Sequence, residues 1–206
     1  MEKEVRIPTQ KRSIEKKEKI KDVAIKLFSE NGYHNVSTNE IAKSAGISIG
    51  TLYNYFSDKK AIYNELVGDL YTQVLGKITP EVLSPVNSPI ALIERYVNLI
   101  MEGHTYMTNF QREITALSYQ DAEFRKLEET YRAFATKKIL SLLQEYKHYL
   151  RITDFDTASF ILQTCIEAVV HEVQFYETPC DKITVTKELT DMLSRYLFRH
   201  EYINSL

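Results

Sequence analysis

STNEIAKSAGISIGTLYNYF, residues 37–56, is the stretch whose reading decides the fold. It opens on Ser37-Thr38-Asn39-Glu40, a capping box in which the Ser37 hydroxyl and the Glu40 carboxylate each satisfy an orphan backbone N–H. Ile41, Ala42 and Ala45 follow at the spacing of one helix face, and Gly46 supplies the left-handed conformation that ends a helix. Ser48 caps a second short helix, expected to run through Tyr55. Two short helices joined by a tight turn at Ala45-Gly46-Ile47 make a helix-turn-helix, whose second helix enters a major groove. The inward positions Ile41, Ala42, Ala45, Ile47, Leu52 and Phe56 lock the pair onto a preceding helix. The outward positions Ser48, Gly50, Thr51, Asn54 and Tyr55 are small or polar, suited to close approach of phosphates and base edges. Lys59 and Lys60 come next, at a helix start whose dipole also favours phosphate.

Working outward, a first helix is expected over 9–30, with Ile20, Val23, Ala24, Leu27 and Phe28 as its apolar stripe and Asn31-Gly32 as its stop. Asp58 is placed to cap a long fourth helix carrying Ile62, Leu66, Leu70, Val74 and Ile78. Pro80, Pro85 and Pro89 mark 80–89 as a loop. Helical spacing then returns over 90–102, 104–118, 121–149, 155–176 and 182–202. The β-branched run 183–186 is ambiguous alone but feeds directly into a helix period. The expectation is an all-α protein, with a three-helix head over 1–60 and a larger helical body over 61–206.

Charge divides at the same place. Residues 1–60 carry 12 Lys+Arg and 8 Asp+Glu, a net of +4; residues 61–206 carry 14 and 20, a net of −6, and the two make the overall −2. A basic module on an acidic body points the first segment at a polyanion; a solvated helix face, with acidic neighbours beside many Lys of 11–26, reads the same way. The longest run without a formal charge is the 14 residues 44–57, short of the roughly 18 apolar residues a membrane span needs. The start, MEKEVRIPTQ, has no apolar core of a secretory signal, and two cysteines make no disulfide framework. A soluble, cytoplasmic protein is the expectation.

A catalytic constellation does not assemble. His171-Glu172 begins like a zinc-protease helix, but Phe175 stands where the second ligand belongs. Cys165 and Cys180 lack zinc-knuckle spacing, Gly46 and Gly50 form no phosphate loop, and no serine sits in a nucleophile elbow. The expectation is no enzyme, no catalytic residue, no metal and no cofactor. In the body, Met101, His104, Met107, Phe110 and Ile114 recur at three and four, with Tyr96, Tyr131 and Phe134 as further aromatics. Adaptable Met beside aromatic rings and a titratable group suits a hydrophobic ligand with a polar end; an ordinary packed helix reads the same way. Along 155–176, Leu162, Ile166, Val169 and Val173 form one stripe, and Ile161, Cys165, Ala168 and Phe175 a second beside it. Leu189, Met192, Leu193, Tyr196 and Leu197 give the next helix a similar face. So wide an apolar arc exceeds what one core contact uses.

The run 20–67 resembles the DNA-binding head of the TetR/AcrR family of bacterial transcriptional regulators. The likeness rests on Ala24-x-x-Leu27-Phe28, Gly32-Tyr33, Ser37-Thr38, Ile41-Ala42, Ala45-Gly46-Ile47-Ser48, Gly50-Thr51-Leu52-Tyr53, Tyr55-Phe56 and Lys59. The resemblance implies DNA contacts from Thr38, Ser48, Gly50, Thr51, Tyr53, Asn54, Tyr55 and Lys59. Ile49 departs from it, standing where members often carry Lys or another polar residue; an apolar side chain there meets a thymine methyl instead. For the body the resemblance implies a ligand-binding and dimerisation domain. Tyr96, His104, Met107, Phe110, Tyr131 and Phe134 are its candidate pocket. Ile161, Cys165, Ala168, Phe175, Leu189, Leu193, Tyr196 and Leu197 are its candidate dimer interface. The function implied is a repressor that binds a pseudo-palindromic double-stranded operator as a homodimer and is released by a largely hydrophobic small-molecule effector. Two rivals stand beside it: a DNA-bound interaction protein whose body docks a protein partner, and an enzyme with a borrowed DNA-binding head.

Overall fold

A computed structural model of the chain describes residues 11–79, 88–105 and 108–203. Among these the protein is helical throughout, with one isolated bridge. In chain order the helices are α1 (Lys11–Asn31), α2 (Thr38–Ser44), α3 (Ile49–Leu52), α4 (Lys59–Gly76), α5 (Pro89–Gly103), α6 (Thr108–Gln120), α7 (Ala122–Glu145), α8 (Phe155–Phe175), α9 (Lys182–Leu197) and α10 (His200–Ile203). They group into two compact units. The first comprises Met1–Leu70 with Asn109–Phe124, the second Tyr71–Thr108 with Arg125–Leu206.

In the first unit, α1 buries the apolar Ile20, Ala24 and Phe28 together with Lys21, and ends where Gly32 takes φ +78°. The Ser37 hydroxyl accepts from the Glu40 N–H at 3.2 Å and Ser48 from the Thr51 N–H at 3.1 Å, so both hydroxyl caps form. Gly46 adopts φ +68° between them, a conformation costly for any residue with a Cβ. The helix opened by Ser48 is shorter than expected, ending at Leu52 and giving way to turns through Tyr55. Ile41, Ala42, Ala45, Leu52 and Phe56 are buried, whereas Ile47 is only half-buried.

Residues 109–124 join this unit through aromatic packing. Phe110 stacks on Phe28 at 6.5 Å and meets the Tyr63 edge at 5.7 Å; Phe124 meets Tyr33 at 4.9 Å and Tyr63 at 4.8 Å. An ionic seam ties α1 to α4, with Lys17–Glu65 and Lys21–Asp69 both at 2.7 Å.

The second unit wraps α5, α7, α8 and α9 around a core that includes Val97, Ile139, Leu162, Ile166, Val170, Leu193 and Leu197. Ser88, Asp154 and Asp181 cap α5, α8 and α9 through the N–H groups of Ala91, Thr157 and Thr184. The Lys138 ammonium donates to the Leu75 and Ile78 carbonyls, each at 2.9 Å, closing the C-terminal end of α4 where a cation is favoured. The run 183–186 is helical. The helix expected over 182–202 breaks after Leu197 because Phe198 turns extended and bridges Leu150. Arg151 N–H donates to Leu197 O at 2.9 Å and Arg199 N–H to Tyr149 O at 3.0 Å. Residues 80–87 of the proline-rich loop lie outside the described residues, and Pro89 begins α5.

Replacing Gly46 with Ala forces a Cβ into the left-handed region at a cost of about 1–2 kcal/mol. The expected result is a lower denaturant midpoint with an unchanged m-value.

Candidate functional site

The surface that the helix-turn-helix presents is built by caps and hydroxyl pairs. The hydroxyls of Ser48 and Thr51 are 2.8 Å apart, those of Thr38 and Tyr53 3.1 Å, and those of Ser13 and Tyr55 3.1 Å. Recognition-segment rings are thereby tied to α2 and α1. Ser48, Gly50, Tyr53 and Asn54 are exposed; Thr38, Ile49, Thr51 and Tyr55 are half-buried. All of these expected contact residues stand in one unit.

Lys59 has other partners than the phosphate that the resemblance implies. Its ammonium donates to the carbonyls of Tyr33 (2.7 Å), Val36 (2.8 Å) and His34 (3.4 Å), and lies 4.3 Å from the Tyr33 ring centroid. Burial lowers its pKa. Lys59 is the cation that satisfies these carbonyls of the loop before Ser37, two of them part-buried. On the opposite side, Glu113 of α6 accepts from the Tyr33 N–H at 2.7 Å. Lys60 pairs with Glu123. Neither Glu113 nor Glu123 had a signal in the sequence, since each lies about 60–80 residues from its partner.

The second unit contains an apolar cavity of about 50 Å³, lined by Leu92, Tyr96, Ile139, Tyr146, Leu162 and Leu193 among others. A wider groove of about 700 Å³ between α5 and α9 carries mixed charges: Glu94, Lys182, Lys187 and Asp191. Of the six expected pocket residues, Tyr96 alone lines the cavity. Tyr131 stacks on Tyr71 at 4.5 Å, and His104 pairs with His171 at 5.1 Å, beneath Phe175. Phe134 is exposed, under the Lys138 ammonium at 5.7 Å. Phe110 stands in the first unit's aromatic cluster, because α5 ends at Gly103 and divides the expected stripe. Met107 lies outside the described residues.

The sequence reading passed over a polar seam here. Glu167 accepts from Arg132 at 3.1 Å and from the Gln163 amide at 3.0 Å, while the Thr136 hydroxyl donates to Gln163. Burial and the Glu167 charge raise the Tyr96 hydroxyl's pKa. Burial, with His104 and Arg132 nearby, pushes His171 down to about 4. His104 donates from Nδ1 to the Ile100 carbonyl at 2.8 Å, and burial lowers it too. The spacing of four between Glu167 and His171, which sets both on one helix face, was the available sign.

Of the expected dimer residues, Phe175, Leu189, Leu193 and Leu197 are buried within the second unit itself. Ile161, Cys165 and Tyr196 are half-buried, and Ala168 is exposed. The apolar side chains open to solvent on α8 and α9 are Phe160, 64% exposed, Ile183, 82%, and Met192, 50%. Among the described residues no group of three or more His, Cys, Asp or Glu is placed to hold a metal ion. No helix of those residues is long and apolar enough to cross a membrane.

An all-α chain with a capped helix-turn-helix in a basic head has the architecture of a DNA-binding regulator. Residues 20–66 match the family model of bacterial regulatory proteins of the tetR family. The HTH-type transcriptional regulator AcrR of Shigella flexneri is 26% identical over 161 residues, 78% of this chain and 68% of that protein. The HTH-type regulator SAB2452 of Staphylococcus aureus is 51% identical over 49 residues; the match spans only 26% of that relative's length. The solved structure of NalD, the secondary repressor of the MexAB-OprM multidrug efflux pump in Pseudomonas aeruginosa, superposes with a TM-score of 0.71. It is 21% identical over 93% of this chain and 100% of that one, and shares the fold. Residues 20–66 thus match the DNA-binding region of the tetR family, and over most of its length the chain is similar to a regulator of that kind.

The histidine pair gives the second unit a pH dependence. An unfolded His titrates near about 6.5, whereas His171 titrates at about 4 in the fold. The depressed value means that the unfolded chain takes up the proton first. Stability is therefore full above pH about 6.5 and lost as pH falls toward 4, by at most about 1.4 kcal/mol per pH unit for this group. Denaturant midpoints measured from pH 7 to 4.5 check this, and His171→Asn flattens the slope.

Proposed function

We propose that this regulator is a repressor, binding a pseudo-palindromic double-stranded operator as a homodimer and leaving it when a largely hydrophobic small molecule occupies the second unit. The observation that carries the DNA half is the set of exposed residues Ser48, Gly50, Tyr53 and Asn54, held by internal hydroxyl pairs on a capped helix-turn-helix. A prearranged, small-residue surface approaches a groove without an ordering cost. Thr38, Ser48, Ile49, Gly50, Thr51, Tyr53, Asn54 and Tyr55 form that face. Lys59 holds the loop behind it, with Tyr33 and Val36 as its partners.

The ligand half rests on the apolar cavity, whose lining offers few polar groups beyond the tyrosines 96 and 146. Such a lining favours a mainly apolar molecule over a sugar or nucleotide. Enlargement to ligand size is part of the response: a ligand that swings the population from 1:99 to 99:1 binds the released form better by about 5.5 kcal/mol. Helix α4 carries residues of both units, so it is the stretch of chain through which that response reaches the head. For the homodimer, the exposed Phe160, Ala168, Ile183 and Met192 on α8 and α9 offer apolar contacts. The location consistent with this role is the cytoplasm.

Three measurements test the reading. A random-duplex selection is expected to return a two-fold-related site, and affinity for it to fall steeply with salt as counterions are released. Sedimentation is expected to give a dimer at micromolar concentration, and Ala168→Asp a monomer that still folds, since residue 168 is exposed in the single chain. Calorimetry with and without operator reads the linkage, because a true inducer and the operator weaken each other by the same factor. A monomeric wild type, or a selection without an enriched site, overturns the proposal.

A further inference from the structure

The residues 44–57 carry no formal charge, and the whole recognition segment lies among them. That absence has a chemical consequence in the major groove. Guanine is read most often by Arg or Lys donating to its O6 and N7; adenine presents an acceptor and a donor, N7 and N6, that suit a primary amide; thymine presents a methyl group.

The structure narrows what this segment offers. The Ser48 and Thr51 hydroxyls engage each other at 2.8 Å, and Ser48 also accepts the Thr51 N–H at 3.1 Å. The Tyr53 hydroxyl is held by Thr38 and the Tyr55 hydroxyl by Ser13, both at 3.1 Å. Asn54 is exposed; its backbone N–H donates to Thr51 O at 3.1 Å, but its side-chain amide has no hydrogen bond among the described residues. Thr51 shares its hydroxyl with Ser48 and adds its methyl as contact surface. Half-buried Ile49 adds aliphatic surface at the start of α3. Of the nearest cations, Lys59 is bonded to three carbonyls and Lys60 to Glu123.

We infer that the head reads A·T pairs at the centre of each operator half-site, Asn54 bonding adenine through N6 and N7 while Ile49 and the Thr51 methyl pack on thymine methyls. Exposed cations outside the segment, such as Lys43, then attract the duplex without choosing its sequence. This inference rests on the operator reading proposed above and adds which bases are recognised.

The test uses the full-length protein and base analogues that change one atom or group. Selection from random duplexes is expected to enrich a two-fold-related site with fixed A·T pairs at the centre of each half. In competition binding, 7-deazaadenine at the position Asn54 reads is expected to weaken wild type roughly tenfold to a hundredfold, the range of a bidentate contact. Asn54→Ala is expected to bind weakly and be indifferent to that analogue. Deoxyuridine for thymine removes only the methyl and is expected to weaken wild type about fourfold, the value of one buried methylene-sized group. Ile49→Ala is expected to lose most of that discrimination. Residue 54 is exposed, so its variant retains the fold, which a thermal melt verifies. Enriched half-sites centred on G·C, or full wild-type affinity for both analogues, overturn the inference and leave the operator reading standing. A selection with no enriched site overturns both.

Discussion

Tyr33 is held at both of its backbone polar groups, and the arrangement of the head depends on it. Glu113 takes the N–H, Lys59 takes the carbonyl, and Lys59 extends to Val36 one residue before the Ser37 cap. Three separate helices, α1, α4 and α6, therefore meet at the turn from which α2 starts. A buried carbonyl without a donor costs about 1–3 kcal/mol. Lys59 serves two part-buried carbonyls at once, which explains why a cation stays there although burial lowers its pKa. The aromatic cluster of Phe28, Tyr63, Phe110 and Phe124 surrounds the same residue with directional ring contacts.

The consequence for recognition is a division of labour. Polar groups that a first inspection assigns to DNA are committed to shaping the head: Lys59 to a loop, Ser48 and Thr51 to each other, Tyr53 and Tyr55 to neighbouring helices. The face itself is neutral and small. Such a surface gains little from long-range attraction over its own 14 uncharged residues, so steering falls to the surrounding basic residues of the net +4 segment.

What the sequence made legible was local. Caps at Ser37, Ser48, Asp58 and the Gly46 turn are each written within four residues, and all four form. Helix existence followed from spacing, but the break after Leu197 did not, because its cause is a pairing with Leu150 some 47 residues away. The same limit governs the sites. A period of three and four placed Phe110 with His104, yet a helix end at Gly103 separates them, and the ring packs on Phe28 instead. On α9, apolar spacing marked Leu189, Leu193 and Leu197 without saying what covers them; the answer is α5 and the core. Exposed Phe160 and Ile183 lay off those stripes and were missed.

Residues 109–124 close the first unit although they sit between two segments of the second. The boundary between the units is thus crossed by the chain more than once, and the head is not a cassette. A chimera that joins this recognition segment to a related body at residue 70 would bring foreign residues against Phe28, Tyr33 and Tyr63, where Phe110 and Phe124 belong. It would also leave the Tyr33 N–H without Glu113. Exchange of DNA specificity among relatives therefore has two natural routes: substitution within the surface residues of α3 and its following turn, or transfer of two sequence segments together.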